Sequence, residues 1–245
     1  MIYSAYFSAT GNTKKLVNFF SEGKNEIDLT KDVAEISFDN KDILYLGVPS
    51  FGGRAPLYAI EKIKLFKGNN TRAIILASYG NRACEDTLIE LRDILANNGF
   101  IVIAGVEAVM PHSIFTEVSK NRPDEKDLKE LSDFKERIRL KLLNNDFKEA
   151  LIPGNRPYKE RKPGGLVPQV NSNCIMCGLC AGLCPVGAIS KLDPSIVDGE
   201  KCIHCMRCIS VCEFDGREIE RNLLDSMYER LEPKFAGRKT NNLYI

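Results

Sequence analysis

Over the first 150 of 245 residues, short β-branched and aliphatic runs alternate with stretches in which apolar side chains recur every third or fourth position. The runs "MIYSAYF", "EIDLT", "DILYLGV", "RAIILAS" and "FIVIAGVEAV" predict five strands. Amphipathic stretches at about 12–22, 56–66 and 83–98 predict helices between them. A further helix is expected in "PDEKDLKELSDFKERIRLKLLNN", with acids just after Pro123 and a buried stripe of Leu128, Leu131, Phe134, Ile138 and Leu142. Strands separated by helices imply an α/β fold, a parallel sheet covered on both faces.

Beyond residue 150 the periodicity dissolves. Residues 151–170, "LIPGNRPYKERKPGGLVPQV", hold four prolines and three glycines and read as a linker. Residues 171–216 are dense in glycine and cysteine, the pattern of a small module ordered by metal more than by apolar burial. Residues 217–245 predict one helix in "REIERNLLDSMYERLEP" and a short terminal strand in "NNLYI". The expected organisation is therefore a domain at 1–150, a linker at 151–170, a cysteine-rich domain at 171–216 and a carboxyl-terminal helix and tail.

Charge removes some partner classes. The 34 basic and 33 acidic side chains leave a net charge of +1, so no global basic field points to nucleic acid or to an anionic membrane. No apolar run approaches the ~20 residues needed to cross a bilayer, and "MIYSAYFSATGNT" lacks the basic start and long apolar stretch of a signal peptide. Eight of the nine cysteines fall between Cys174 and Cys212, which fits metal ligation in a reducing compartment better than a disulfide framework. The expected location is cytoplasmic.

Cys174, Cys177, Cys180 and Cys184 have the spacing C-x2-C-x2-C-x3-C, and Cys202, Cys205, Cys208 and Cys212 repeat it. Three thiols two residues apart can hold three corners of a cubane, while the fourth points toward the neighbouring site. The ligands are thus expected to cross over, Cys174, Cys177, Cys180 and Cys212 on one [4Fe-4S] cluster and Cys202, Cys205, Cys208 and Cys184 on the other. Structural zinc is the alternative, but it has no use for the third regularly spaced thiol of each quartet. With "CPVGAI" after the first quartet and "VDGEKCIHCMRC" leading into the second, the stretch resembles the bacterial two-cluster [4Fe-4S] ferredoxin. It departs from that family at Glu213, where proline usually follows the eighth cysteine.

The first predicted strand runs into "SATGNT": Ser8, Ala9, Thr10, Gly11, Asn12 and Thr13. Hydroxyls, a glycine and helix-terminal N–H groups together suit an anion, and the absence of lysine or arginine within the loop excludes a nucleoside triphosphate loop. The motif resembles the phosphate loop of flavodoxins. That resemblance implies a flavodoxin-like doubly wound five-stranded sheet in the order 2-1-3-4-5, with FMN at the switch point. It also implies that the loops holding Pro49, Ser50, Phe51, Gly52 and Gly53, and Ser78, Tyr79, Gly80, Asn81 and Arg82, flank the isoalloxazine ring, with Phe51 and Tyr79 as ring contacts. With "YGNR" and "HSI" at 79–82 and 112–114, the whole chain resembles fused flavodoxin–ferredoxin proteins, which implies electron transfer among two clusters and FMN.

Other residues carry plainer expectations. Cys84 reads as a small apolar helix residue, His204 as a peripheral hydrogen-bonding group, and Phe214 and the terminal "LYI" as packing residues. His112 is balanced between a loop cap and a flavin neighbour. Arg54 and Arg82 stand in the ring loops, either solvated or lending a cation to the flavin. Arg156, Lys159, Arg161 and Lys162 read as a soluble basic linker. Residues 1–150 hold 21 basic against 22 acidic side chains, and residues 171–216 hold three against five. Such balance disfavours a carrier that docks on many partners through a one-signed face. The leading expectation is an electron-transfer flavoprotein serving a redox partner protein. The alternative is an FMN-dependent reductase of a small-molecule substrate, fed by its own ferredoxin domain. No catalytic residue and no oligomeric state is legible.

Overall fold

A computed structural model describes residues 1–162 and 165–245. Pro163 and Gly164, within the stretch read as a linker, lie outside the described residues. The chain divides into two compact units, one comprising 1–112, 116–161 and 238–245, the other 113–115 and 162–237.

The first unit is built on a six-stranded sheet. Its strands are β1 (Ile2–Tyr6), β2 (Glu26–Asp28), β4 (Ile43–Pro49), β6 (Thr71–Tyr79), β7 (Phe100–Val109) and β10 (Asn242–Tyr244), in the spatial order β10-β7-β6-β4-β1-β2. The five amino-terminal strands are parallel and follow the expected 2-1-3-4-5 order. Near-continuous apolar runs suit them, because a parallel strand is covered on both faces. Leu44, Leu46, Ile74, Ile75 and Leu76 are wholly buried. Helices α1 (Asn12–Ser21), α2 (Leu57–Ile63) and α3 (Thr87–Asn97) lie in the connections β1–β2, β4–β6 and β6–β7, and α4 (Glu125–Leu143) follows β7. The order reverses between β1 and β4, the switch point outside which open α/β sheets bind their ligands.

Three expectations need correction here. Residues 36–38 and 66–68 form a separate two-stranded sheet, β3 (Ile36–Phe38) with β5 (Phe66–Gly68), so α2 stops at Ile63 and does not reach residue 66. Phe38 and Phe66 bury their rings edge to face there, a reward that runs three residues long do not advertise. On α4, Leu131 and Ile138 are buried and Phe134 and Leu142 pack at the margin, but Leu128 is exposed. At its position the first turn is held by a capping box of Asp124 and Asp127, and the buried side chain there is Asp127, bound by Arg122.

Residues 151–161 are not a free tether. Asp86, wholly buried, accepts from the Asn155 backbone and side-chain amides at 2.8 and 3.0 Å and from the Lys159 amide at 2.6 Å. Arg156 forks onto Asp93, Lys159 pairs with Glu85, and Arg161 reaches Glu90. The basic residues read as solvated thus strap this segment along α3. Gly105 gives Ile152 room, since a Cβ there would come within 2.6 Å of its Cδ1. The terminal strand forms as predicted, pairing antiparallel with β7 at Asn242–Glu107, Leu243–Val106 and Tyr244–Gly105.

The second unit has little regular structure: β8 (Gln169–Val170) paired with β9 (Arg217–Glu218), single turns α5 (Leu179–Gly182) and α6 (Arg207–Ser210), and α7 (Arg221–Phe235). Each quartet carries one of the two short turns, a small correction to the expectation of no helix. Phe115, Tyr228 and Phe235 form an aromatic cluster with centroids 5.4–6.3 Å apart. Phe214, expected to pack, is half exposed.

Candidate iron-sulfur centres and strand-end loops

The turns α5 and α6 arise at matching places in the two quartets. Gly178 and Met206 both adopt positive φ, 76° and 62°, immediately before a turn that carries the third cysteine. Four residues after each terminal cysteine a backbone amide returns to the sulfur, Ala188 N to Cys184 Sγ at 3.3 Å and Gly216 N to Cys212 Sγ at 3.2 Å. Such N–H donors favour a thiolate over a thiol.

The cysteines group across the repeats. Cys174, Cys177, Cys180 and Cys212 line one cavity of about 240 Å³, together with Ile175, Leu179 and Phe214. The charge of Cys184 adds to the upward pressure on the thiols of Cys202 and Cys205, and that of Cys180 to the pressure on Cys208. Burial is the larger cause: it pushes Cys202 up, Cys205 up to about 11 and Cys208 up to about 12. Metal binding here must expel protons. Among the described residues no group of three or more His, Cys, Asp or Glu converges on a single ion. The first set instead rings a volume, which suits a polynuclear centre whose own width separates its ligands.

Two residues beside the cysteines were not singled out from sequence. Gly216 packs so tightly that a Cβ would come within 2.8 Å of Cys174 Cα. Arg217 is only 3% exposed; it lines the same cavity and donates to the carbonyls of Pro168, at 3.0 Å, and Pro194. Its position one residue past "CEFDG" was the only signal, and a single arginine carries none by itself. Glu213 is exposed at the cavity rim. His204 makes the peripheral contact expected of it, with Nδ1 3.3 Å from the Leu166 carbonyl.

In the first unit the three strand-end loops are tied together. Gly11 takes φ 89° at the start of α1, with open space where a Cβ would stand. The Ser8 hydroxyl accepts from the Lys14 amide at 3.0 Å. Among the described residues the amides of Gly11, Asn12 and Thr13 donate to no protein acceptor. Thr13 Oγ1 sits 2.7 Å from Ser78 Oγ, and Asn12 Nδ2 donates to the Pro111 carbonyl at 3.1 Å. Thr10 and Phe51 are partly exposed, Ala9 is buried, and Pro49 ends β4. Ser50 Oγ reaches the carbonyls of Ala83 and Cys84. Gly52 (φ 62°) faces open space, whereas Gly53 (φ 94°) lies against Glu85.

Tyr79 does not offer its ring as expected. It is 7% exposed, and its hydroxyl donates to the Thr240 carbonyl at 2.7 Å. Asn81 Oδ1 accepts from the Lys239 amide, so the returning terminal segment holds this loop. Gly80 is needed because a Cβ would fall 2.5–2.7 Å from the His112 ring. Burial first, and then the Arg82 charge, lower the His112 pKa from 6.5 to about 4, so the imidazole is neutral at pH 7. Arg82 pairs with Glu85 at 2.7 Å and Arg54 forks onto Glu90 at 2.6 and 2.9 Å, so neither is merely solvated. Cys84 is buried, which pushes its thiol well up, and it stands in the loop before α3, not in a helix.

No helix among the described residues is long and apolar enough to cross a membrane. No curated protein matches the chain. Family comparison finds a 4Fe-4S binding domain over residues 168–190 and another over 199–215. The eight cysteines between 174 and 212 thus form two 4Fe-4S binding motifs of a ferredoxin-type domain, carried by a chain whose amino-terminal part is a mostly parallel α/β sheet.

Proposed function

We propose that the protein is a cytoplasmic electron-transfer flavoprotein, in which two [4Fe-4S] clusters exchange electrons with FMN on behalf of a redox partner protein. What supports the reading is that Cys212 of the second quartet lines one cavity with Cys174, Cys177 and Cys180 of the first, as a crossed ligand set would require. A crossed set is what two adjacent cubanes require and what two separate zinc sites do not. When bound, each cluster supplies a one-electron couple, and FMN supplies a centre that takes one electron or two.

The loop residues fit a phosphate and a flat ring without a cation in the first loop. The amides of Gly11, Asn12 and Thr13, without protein acceptors among the described residues, lie at the positive end of α1. The Thr10 hydroxyl adds a donor, and Ser8 and Thr13 hold the loop by bonding to Lys14 and Ser78. Gly52 leaves backbone room, and Phe51 has a partly exposed ring edge-on to Phe7. Tyr79 fixes the third loop from behind instead of touching the ring. A reductase is the second reading because neutral, half-buried His112 stands beside Gly80 of the third loop, where a small substrate would meet it.

The test is anaerobic purification followed by iron, flavin and transfer measurements. The reading expects about eight iron atoms per chain, from two four-iron clusters, together with bound FMN and oxidation of the reduced clusters by FMN. A colourless zinc protein sinks the cluster assignment. Unchanged FMN retention in Thr10→Ala/Thr13→Ala sinks the phosphate loop. Multiple turnovers on a small molecule, with no oxidation by a protein acceptor, replace carrier by reductase.

A further inference from the structure

Arg217 presents a charge problem. Its guanidinium is permanently charged and almost wholly buried, yet among the described residues its hydrogen-bond partners are only the carbonyls of Pro168 and Pro194. Its Nε has no hydrogen-bond partner, and it forms no ion pair with a carboxylate among the described residues. A buried cation without a counter-charge costs several kcal/mol. It lines the cavity of Cys174, Cys177, Cys180 and Cys212, where the one carboxylate, Glu213, is exposed.

We propose that Arg217 is the internal counter-ion of the iron-sulfur centre at Cys174, Cys177, Cys180 and Cys212, a positioning and tuning residue whose charge stabilises its reduced form and raises its reduction potential. The inference rests on the two-cluster reading. Four thiolates give each ligated cluster a net negative charge, and one electron from a reductant makes it more negative. A fixed cation in a poorly solvated site favours that added charge, because little water is present to screen it. The two carbonyl bonds keep the guanidinium in place without neutralising it.

The experiment is an anaerobic potentiometric titration of the full chain, read by electron paramagnetic resonance, with iron measured per chain. Wild type, Arg217→Gln and Arg217→Lys are compared. At wild-type iron content, R217Q shifts the oxidised-to-reduced ratio of at least one cluster tenfold or more toward oxidised, about 59 mV more negative for a one-electron couple. R217K, which keeps the charge and loses the planar fork, stays within threefold of wild type. Unchanged potentials in iron-replete R217Q overturn the proposal, as does an R217K shift as large as that of R217Q. If R217Q assembles no clusters, R217K alone decides: wild-type potentials sustain the proposal, and a tenfold shift or failure to assemble overturns it. Wild type with far fewer than about eight iron atoms refutes the two-cluster reading instead, so the two failures are distinct.

Discussion

Asn241 offers the sharpest measure of how the terminal segment supports the first unit. Its side chain is buried and makes three hydrogen bonds: Nδ2 donates to Asp127 Oδ1 and Glu130 Oε2, each at 2.9 Å, and Oδ1 accepts from the Val109 amide at 2.9 Å. Asn241→Ala deletes all three and leaves the Val109 N–H at the end of β7 without an acceptor. Two of the bonds end on carboxylates, and one orphaned donor is buried, so the net loss is about 3 kcal/mol. For a unit of this size that lowers Tm by about 6–10 °C. Urea unfolding followed by far-UV circular dichroism checks it. Because Lys239 and Thr240 hold Asn81 and Tyr79, the same variant loosens the third loop, and under the proposed FMN-binding role it releases FMN more readily. Asn241→Asp is expected to be worse at neutral pH, since it sets a third carboxylate against Asp127 and Glu130, and to recover toward N241A as acid protonates it. A loss below about 1 kcal/mol in N241A refutes the reasoning, because it would mean that water replaces the bonds at no cost.

The remaining expectations concern pH and close packing. With His112 at about 4 in the folded chain and 6.5 unfolded, the unfolded chain takes up a proton that the native chain refuses, so stability is full above pH 6.5 and falls from there toward pH 4. His112→Asn should flatten that slope in thermal melts across the window. Gly80→Ala drives a methyl into the His112 ring, costing about 1–3 kcal/mol in thermal melts and, under the proposed FMN-binding role, weakening FMN in equilibrium dialysis; Gly80→Ala/His112→Ala should restore most of both. Gly216→Ala must displace the Cys174 backbone, so iron analysis should find about half the wild-type content, one cluster being lost with the Cys174 set.

The chain's own pattern determined a great deal. Five apolar runs with helical segments between them specify a parallel sheet, because only a strand buried on both faces can be apolar throughout. The cysteine repeat specifies its chemistry because thiolate spacing is a local property of the backbone. The terminal "NNLYI" is legible as a strand, but not its partner, since pairing with β7 bridges more than 130 residues. The strap of 151–161 was equally hidden. Its prolines and glycines report a backbone without period, whereas its order comes from Asp86 just before α3 and Glu90 and Asp93 on it, 63–73 positions away.

The same divide runs through the candidate sites. "SATGNT" marks itself by composition, yet Tyr79 could be placed behind its loop only when the returning Thr240 was in view. Arg217 reads as an ordinary basic residue until folding buries it among cysteines from both repeats. Sequence determined which groups are chemically able to act, because that depends on residue type and near-neighbour spacing. Tertiary structure alone decided which of them are buried, paired or left charged beside a neighbour, because burial and Coulomb interactions depend on distances in space that the chain closes only on folding.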